Sequence, residues 1–296
     1  MTFEPRHLFS GQTCQVWTHD TVTGENRLVF ETADLLLEAP NWIDDALILN
    51  GDGVLWRLPL SEPNLEKIDI AGVPPLNNDH VPDPDGHHIF ISTEDDWQIW
   101  RAPLAGGAAR RISCDDNLMH FLHGVSPDGK RLAFVGLEAE VTETSFRLIA
   151  AEICTIANDG SDFCRLTDGA VADGPEYSPD GQWIYYNTES FSGHAQIARM
   201  RTDGSGNERL SHADTVDWFP HLSPDGAKAV YLSYPPGTEG HPADLWVEIK
   251  LVDGGWSEAR AVAKLFGGQG TINVNSWSPD SRSFAYVAYP LSKPLC

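Results

Sequence analysis

Apolar and polar positions alternate in short runs along most of the chain, and no sustained run repeats at the 3.6-residue spacing of a helix. The clearest runs stand just after a recurring tight-turn signal. RLAFV follows Ser126-Pro127-Asp128-Gly129, and WIYYN follows Ser178-Pro179-Asp180-Gly181. KAVYL follows Ser223-Pro224-Asp225-Gly226, and SFAYV follows Ser278-Pro279-Asp280-Ser281. An earlier copy reads Asp83-Pro84-Asp85-Gly86 before His88-Ile89-Phe90-Ile91. Proline presets φ for the second turn position, and Asp-Gly tolerates the polar, left-handed positions after it. Each unit therefore predicts a turn feeding a strand with one buried face.

The five prolines stand 43, 52, 45 and 55 residues apart, periods that suit four-stranded propeller blades joined by loops of varying length. A second motif lies downstream in each unit, as Leu55-Trp56-Arg57, Ile99-Trp100-Arg101, Ile153-Cys154-Thr155, Ile197-Ala198-Arg199 and Leu245-Trp246-Val247. Glycine turns follow it, for example Asn158-Asp159-Gly160, and lead to a short fourth strand. The sixth copy of the second motif, Val16-Trp17-Thr18, stands at the N-terminus with no Pro-Asp turn before it. The last Pro-Asp unit stands at the C-terminus with no outer strands after it. Joining the two halves completes a sheet and removes exposed edges.

The expectation is an all-β fold: one six-bladed β-propeller whose N-terminal strands complete its C-terminal blade. Its blades span about 33–72, 73–114, 115–167, 168–212, 213–265, and 266–296 plus 1–32, with Ile43-Asp44-Asp45 as a degenerate turn in the first. Pro59 and Pro103 must sit at strand ends, where a missing N–H is tolerated. The insertion Glu138 to Phe146 lengthens one hairpin and projects from the ring. Trp56, Trp100 and Trp246 recur in phase and are expected between blades, whereas Trp42 and Trp277 precede turns and are expected at the rim.

As a set, the Ser-Pro-Asp-Gly turns with their alternating strands, and Asp-Gly before the fourth strand, resemble the Pro-Asp propeller repeats of the TolB family. The resemblance covers most of the chain and implies a TolB-like six-bladed propeller that binds a protein or peptide. TolB's export signal and separate N-terminal α/β domain have no counterpart in these residues, so the resemblance carries the propeller rather than the envelope role. Similar propellers form the non-catalytic part of prolyl-oligopeptidase-like peptidases and the body of oligogalacturonate lyases. The peptidase route would need a Gly-x-Ser-x-Gly elbow, which the sequence lacks.

Charge narrows the partners. With 43 Asp and Glu against 20 Lys and Arg, the formal charge is −23, a surface that repels nucleic acid and anionic lipid. No stretch reaches the roughly 20 apolar residues of a membrane span. The start, MTFEPRHLFSGQTCQVW, lacks the basic and apolar pattern of a signal peptide, which predicts a cytoplasmic protein, or a periplasmic one if a signal has been removed. The five cysteines, Cys14, Cys114, Cys154, Cys164 and Cys296, form no CxxC pair and are read as reduced packing residues.

Propellers hold ligands at the mouth of the central channel. Counting back from each turn proline places His80, His123, Asp173, Glu176, Asp217, His221 and Asn275 around it as candidate ligand-binding residues. His80, His123 and His221, with a carboxylate, would suit a divalent metal, since neutral imidazole and carboxylate are its common ligands. The sequence requires no cofactor and carries no HExxH or CxxC motif. A binding module for a protein, peptide or small ligand is therefore preferred. The alternative is a metal-dependent carbohydrate-active enzyme, a lyase or hydrolase, with a histidine-lined mouth. His80, His123 and His221 must then converge.

Overall fold

A computed structural model describes residues 6–114, 117–142 and 146–291. Cys296 and the tip of the Glu138–Phe146 insertion, at 143–145, lie outside the described residues. The chain folds as a six-bladed β-propeller. Blade 1 is Glu38–Ile43, Ala46–Gly51, Val54–Pro59 and Glu66–Ile68, in that order from the channel outward. Blade 2 is Leu76–Pro82, His88–Thr93, Ile99–Pro103 and Arg110–Arg111. Blade 3 is Met119–Val125, Arg131–Val141, Phe146–Ala157 and Cys164–Arg165, its middle strands forming a long hairpin. Blade 4 is Ala172–Tyr177, Trp183–Thr188, Gln196–Arg201 and Glu208–Arg209. Blade 5 is Val216–Leu222, Ala229–Tyr234, Ala243–Val252 and Arg260–Gly268.

The sixth blade is assembled from both ends of the chain. Cys14–Asp20 pairs antiparallel with Ser283–Ala288 on one side, Val16 opposite Val287, and with Asn26–Thr32 on the other. Its innermost segment, 271–277, is held less regularly, by a single bridge from Trp277 to Phe284 and the bonds Ala285 N to Ser276 O and Val287 N to Thr271 O. Three glycines, Gly267, Gly268 and Gly270, precede that segment, which completes no regular ladder.

The repeated turns are stapled by their own side chains. In blade 3 Ser126 Oγ donates to Asp128 Oδ1 at 2.7 Å and accepts from Arg131 N at 2.9 Å. The same pair of bonds recurs at Ser178, Ser223 and Ser278. Gly129, Gly181 and Gly226 take φ of 71°, 68° and 70°, the left-handed region that glycine enters without cost. Pro59 and Pro103 each end a strand.

Apolar side chains fill the spaces between adjacent blades. One such cluster joins blade 6 to blade 1 through Cys14, Val16, Leu37, Leu47, Leu49, Val287 and Tyr289. The in-phase tryptophans divide. Trp56 and Trp100 pack against buried clusters, but Trp246 is 59% exposed on the wall of a lateral groove. Trp277 is buried in the core rather than at the rim, its indole N–H donating to the His221 carbonyl. Cys154 is buried and opposes Arg165, whereas Cys164 opposes Thr155 and is exposed, not packed. Among the described residues no helix is long and apolar enough to cross a membrane.

Candidate functional site

The innermost strands converge so tightly that a Cβ on Gly124 of blade 3 would lie 2.6 Å from the Pro175 carbonyl of blade 4. Every innermost strand of blades 1 to 5 carries a β-bulge, between Glu38/Asn41, Leu76/His80, Leu122/Gly124, Asp173/Glu176 and Trp218/His221. A bulge re-aims side chains on either side of it. The channel is thereby divided into two parts with different chemistry.

Toward the Pro-Asp turns lies a buried hydrogen-bond network, in which His80 Nε2 has no partner. His80 Nδ1 donates to Asn41 Oδ1 at 2.7 Å, and Asn41 Nδ2 donates to the Asn275 carbonyl at 2.9 Å. Asn275 Nδ2 donates to Glu176 Oε1 at 2.8 Å, which also accepts from Leu222 N at 2.8 Å. Glu176 Oε2 lies 2.7 Å from His221 Nδ1, while His221 Nε2 donates to the Ile272 carbonyl at 2.6 Å. Burial lowers the His80 pKa to about 3, so its imidazole is neutral. Four of the candidate residues, His80, Glu176, His221 and Asn275, are thus brought together here, where they stitch blades to one another.

Toward the opposite end the channel opens into a cavity of about 520 Å³. Its centre is His123. Nδ1 donates to the Asn273 carbonyl at 3.1 Å, Nε2 lies 3.2 Å from Asp173 Oδ1 and 3.8 Å from Asp79 Oδ1, and the ring stacks on Phe219. Burial alone would lower the His123 pKa, but the Asp79 and Asp173 carboxylates outweigh it and hold it at about 9. Burial pushes the Asp79 carboxyl up to about 6 despite His123 beside it. Burial would also raise Asp173, yet its bonds to His123 and His241 keep it below the usual carboxylate range. Four buried polar atoms of the lining residues have no hydrogen-bond partner: Arg6 Nε, Asn50 Oδ1, Asn77 Nδ2 and Asp79 Oδ1.

Of the candidate residues only His123 and Asp173 line this cavity. Asp217 is buried elsewhere, accepting from Thr215 and Ser233 hydroxyls and tying blade 5 to Gln196 of blade 4. His80, His123 and His221 do not form one three-imidazole centre, because His123 and His221 each have both ring nitrogens engaged with different groups. Among the described residues no group of three or more His, Cys, Asp or Glu is placed to hold a metal ion. Arg6, Glu38, Asn50, Asn77, Asp79, Glu94, Trp97, His241 and Gln269 also face the cavity and were not among the candidates.

No family model matches the sequence. A propeller from Agrobacterium tumefaciens, provisionally named TolB, superposes with a TM-score of 0.84 at 39% identity, covering 94% of this chain and 99% of that one. The uncharacterised protein Atu1656 of Agrobacterium fabrum is 42% identical over 274 residues, 90% of this chain and 89% of its own length. This chain belongs to the TolB-like propellers. TolB from Acinetobacter baumannii shares the fold at a TM-score of 0.56 and 16% identity, with this chain spanning 64% of it. An oligogalacturonate lyase in complex with manganese shares it at 0.56 and 14%. At such identities these two likenesses show the fold alone.

The charge on His123 gives the TolB-like propeller a pH signature. Its folded pKa of about 9 exceeds the ordinary 6.5, so between those values the folded state binds more protons than the unfolded one. This stabilisation is complete below pH 6.5 and is lost as pH rises through 9. The loss is on the order of 3 kcal/mol at most. Urea titrations across that window should show the midpoint falling in the native protein and staying nearly level in His123→Gln. Equal slopes for the two proteins would refute the assignment.

Proposed function

We propose that this TolB-like propeller is a ligand-binding module, and that its ligand seats in the channel mouth around His123, Asp79 and Asp173. The observation that carries this reading is the set of unpartnered buried atoms, Arg6 Nε, Asn50 Oδ1, Asn77 Nδ2 and Asp79 Oδ1. A buried polar group left without a partner costs about 1–3 kcal/mol, and a bound ligand that satisfies it recovers that energy. The cavity's volume falls in the range of small-molecule sites, roughly 300–1,000 Å³. Its walls combine apolar surface from Met119, Phe121, Leu137 and Phe219 with a few convergent polar groups, as such sites do.

Binding is favoured over the metal-dependent enzyme because the imidazole nitrogens that a metal would need at His123 and His221 are already engaged. A thermal-shift screen of small molecules and short peptides, with divalent metals alone as a separate arm, tests the choice. Ligands that stabilise the native protein but not Asp79→Asn are expected. Stabilisation by a metal alone, abolished in His80→Ala, would instead favour the enzymatic reading. Hits that persist undiminished in Asp79→Asn would move the site elsewhere.

A further inference from the structure

The cavity is unbalanced in charge, and the imbalance points to its ligand. Four carboxyl groups line it, from Glu38, Asp79, Glu94 and Asp173, against the guanidinium of Arg6 and the imidazolium of His123. Both cations already face carboxylates, although Arg6 Nε has no hydrogen-bond partner. Arg6 spans Glu38 Oε1 at 3.0 Å and Asp244 Oδ1 at 3.1 Å, donates to the Gln269 carbonyl at 2.9 Å, and lies 4.1 Å from the centre of the Tyr289 ring. His123 is bonded to Asp173. Asp79 Oδ1 is left without a donor, and among the described residues Glu94 has no cation within ion-pair range.

The wall thus already holds one cation between two carboxylates and a ring face, and it carries a second set of the same kinds of group. The indole of Trp97 and the ring of Phe121, whose centroids lie 5.6 Å apart, line the cavity together with Asp79 and Glu94. Aromatic faces attract cations most strongly where water is excluded. The two unpartnered acceptors, Asp79 Oδ1 and Asn50 Oδ1, require donors, which an ammonium supplies and a carboxylate does not. The unpartnered donors, Asn77 Nδ2 and Arg6 Nε, leave room for an acceptor atom on the same ligand.

We propose that the ligand of this cavity is an organic cation, a primary or methylated ammonium on an apolar or aromatic body, held by Asp79 and Glu94 against Trp97 and Phe121. The proposal rests on the binding reading above and adds the ligand's chemical class. An anion would meet four carboxyl groups and, from the cations, a single unpartnered atom, Arg6 Nε, and a neutral polyol would leave the surplus acidic charge unanswered.

Four probes of similar size separate these cases: phenethylamine, N-methylphenethylamine, phenethyl alcohol and phenylacetate. Binding is followed by calorimetry and by the tryptophan indole NMR signals, assigned with Trp97→Phe. Both cations should bind at least about tenfold more tightly than the alcohol, with phenylacetate weakest. Asp79→Asn should remove about tenfold of the cation affinity, a change of about 1.4 kcal/mol, and leave the alcohol unchanged. Glu94→Gln, at a half-buried position, provides the same reading if Asp79→Asn fails to fold. Equal affinity for cation and alcohol, or a preference for phenylacetate, would overturn the cation proposal while leaving the cavity a binding site. No response of the Trp97 signal to any probe also overturns it, and the fate of the binding reading is then decided by the broader screen.

Discussion

Replacing Val16 with aspartate is expected to leave little folded protein. Val16 is fully buried in the strand that clasps the ring, opposite Phe30 on one side and Val287 on the other, and it packs into the cluster joining blades 6 and 1. A carboxylate there loses its water and finds no cation, and the lost apolar contacts add to the cost. Losses above about 4–5 kcal/mol arise from this kind of change. That is a large share of the roughly 5–15 kcal/mol that holds a domain together. The same substitution at Val22, 72% exposed in the adjoining turn, should shift stability by no more than about 0.5 kcal/mol. Soluble yield and urea midpoints would compare the two. A Val16→Asp protein as stable as Val22→Asp would mean that the N-terminal strand does not hold the ring closed.

Glu176→Ala is expected to cost about 3–5 kcal/mol, the usual penalty for breaking a buried pair. The carboxylate binds three groups from two other blades: Leu222 N, His221 Nδ1 and Asn275 Nδ2. Alanine leaves Leu222 N and His221 Nδ1 without this partner and removes one of two bonds made by Asn275 Nδ2, which keeps the Leu222 carbonyl. Glu176→Gln distinguishes hydrogen bonding from simple packing. Because His221 Nε2 donates to Ile272, Nδ1 of a neutral ring can accept from a glutamine NH2, while the amide oxygen keeps Leu222 and Asn275. The glutamine variant should therefore lie within about 1.5 kcal/mol of the native protein. Two variants equally destabilised in denaturant would count against the network and for a charge requirement.

Much of the architecture was legible because it is written in repeated local chemistry. A Ser-Pro-Asp-Gly turn carries its own hydrogen bonds, so it signals a strand pair wherever it occurs, and the half-units at the two ends gave away the closure. Trp246 misled because phase within a repeat reports which face of a strand a residue takes, not whether a neighbouring blade covers that face. The channel was harder for a related reason. Counting back from the turn proline holds register only as far as the first bulge, so the method found His80, Glu176, His221 and Asn275 together and lost alignment beyond them. The cavity also draws Arg6, Glu94, Trp97, His241 and Gln269 from connections that share no period. His123 and Asp173 were reached because both lie within a residue of the bulge.

Closing the ring with the first strands of the chain imposes an order on synthesis. Cys14–Asp20 and its neighbour Asn26–Thr32 leave the ribosome before blades 1 to 5, but the strand that Cys14–Asp20 pairs with, Ser283–Ala288, is made after them. At about 5–20 residues per second, the early pair waits on the order of 10–50 s with one edge open. During that interval the nascent chain displays the kind of unpaired strand that recruits other chains. Moving the chain ends to the loop between blades 4 and 5 would let every sheet complete itself as it emerges. Such a permutant would exchange a late, long-range closure for local ones, and should refold faster from denaturant than the native order does.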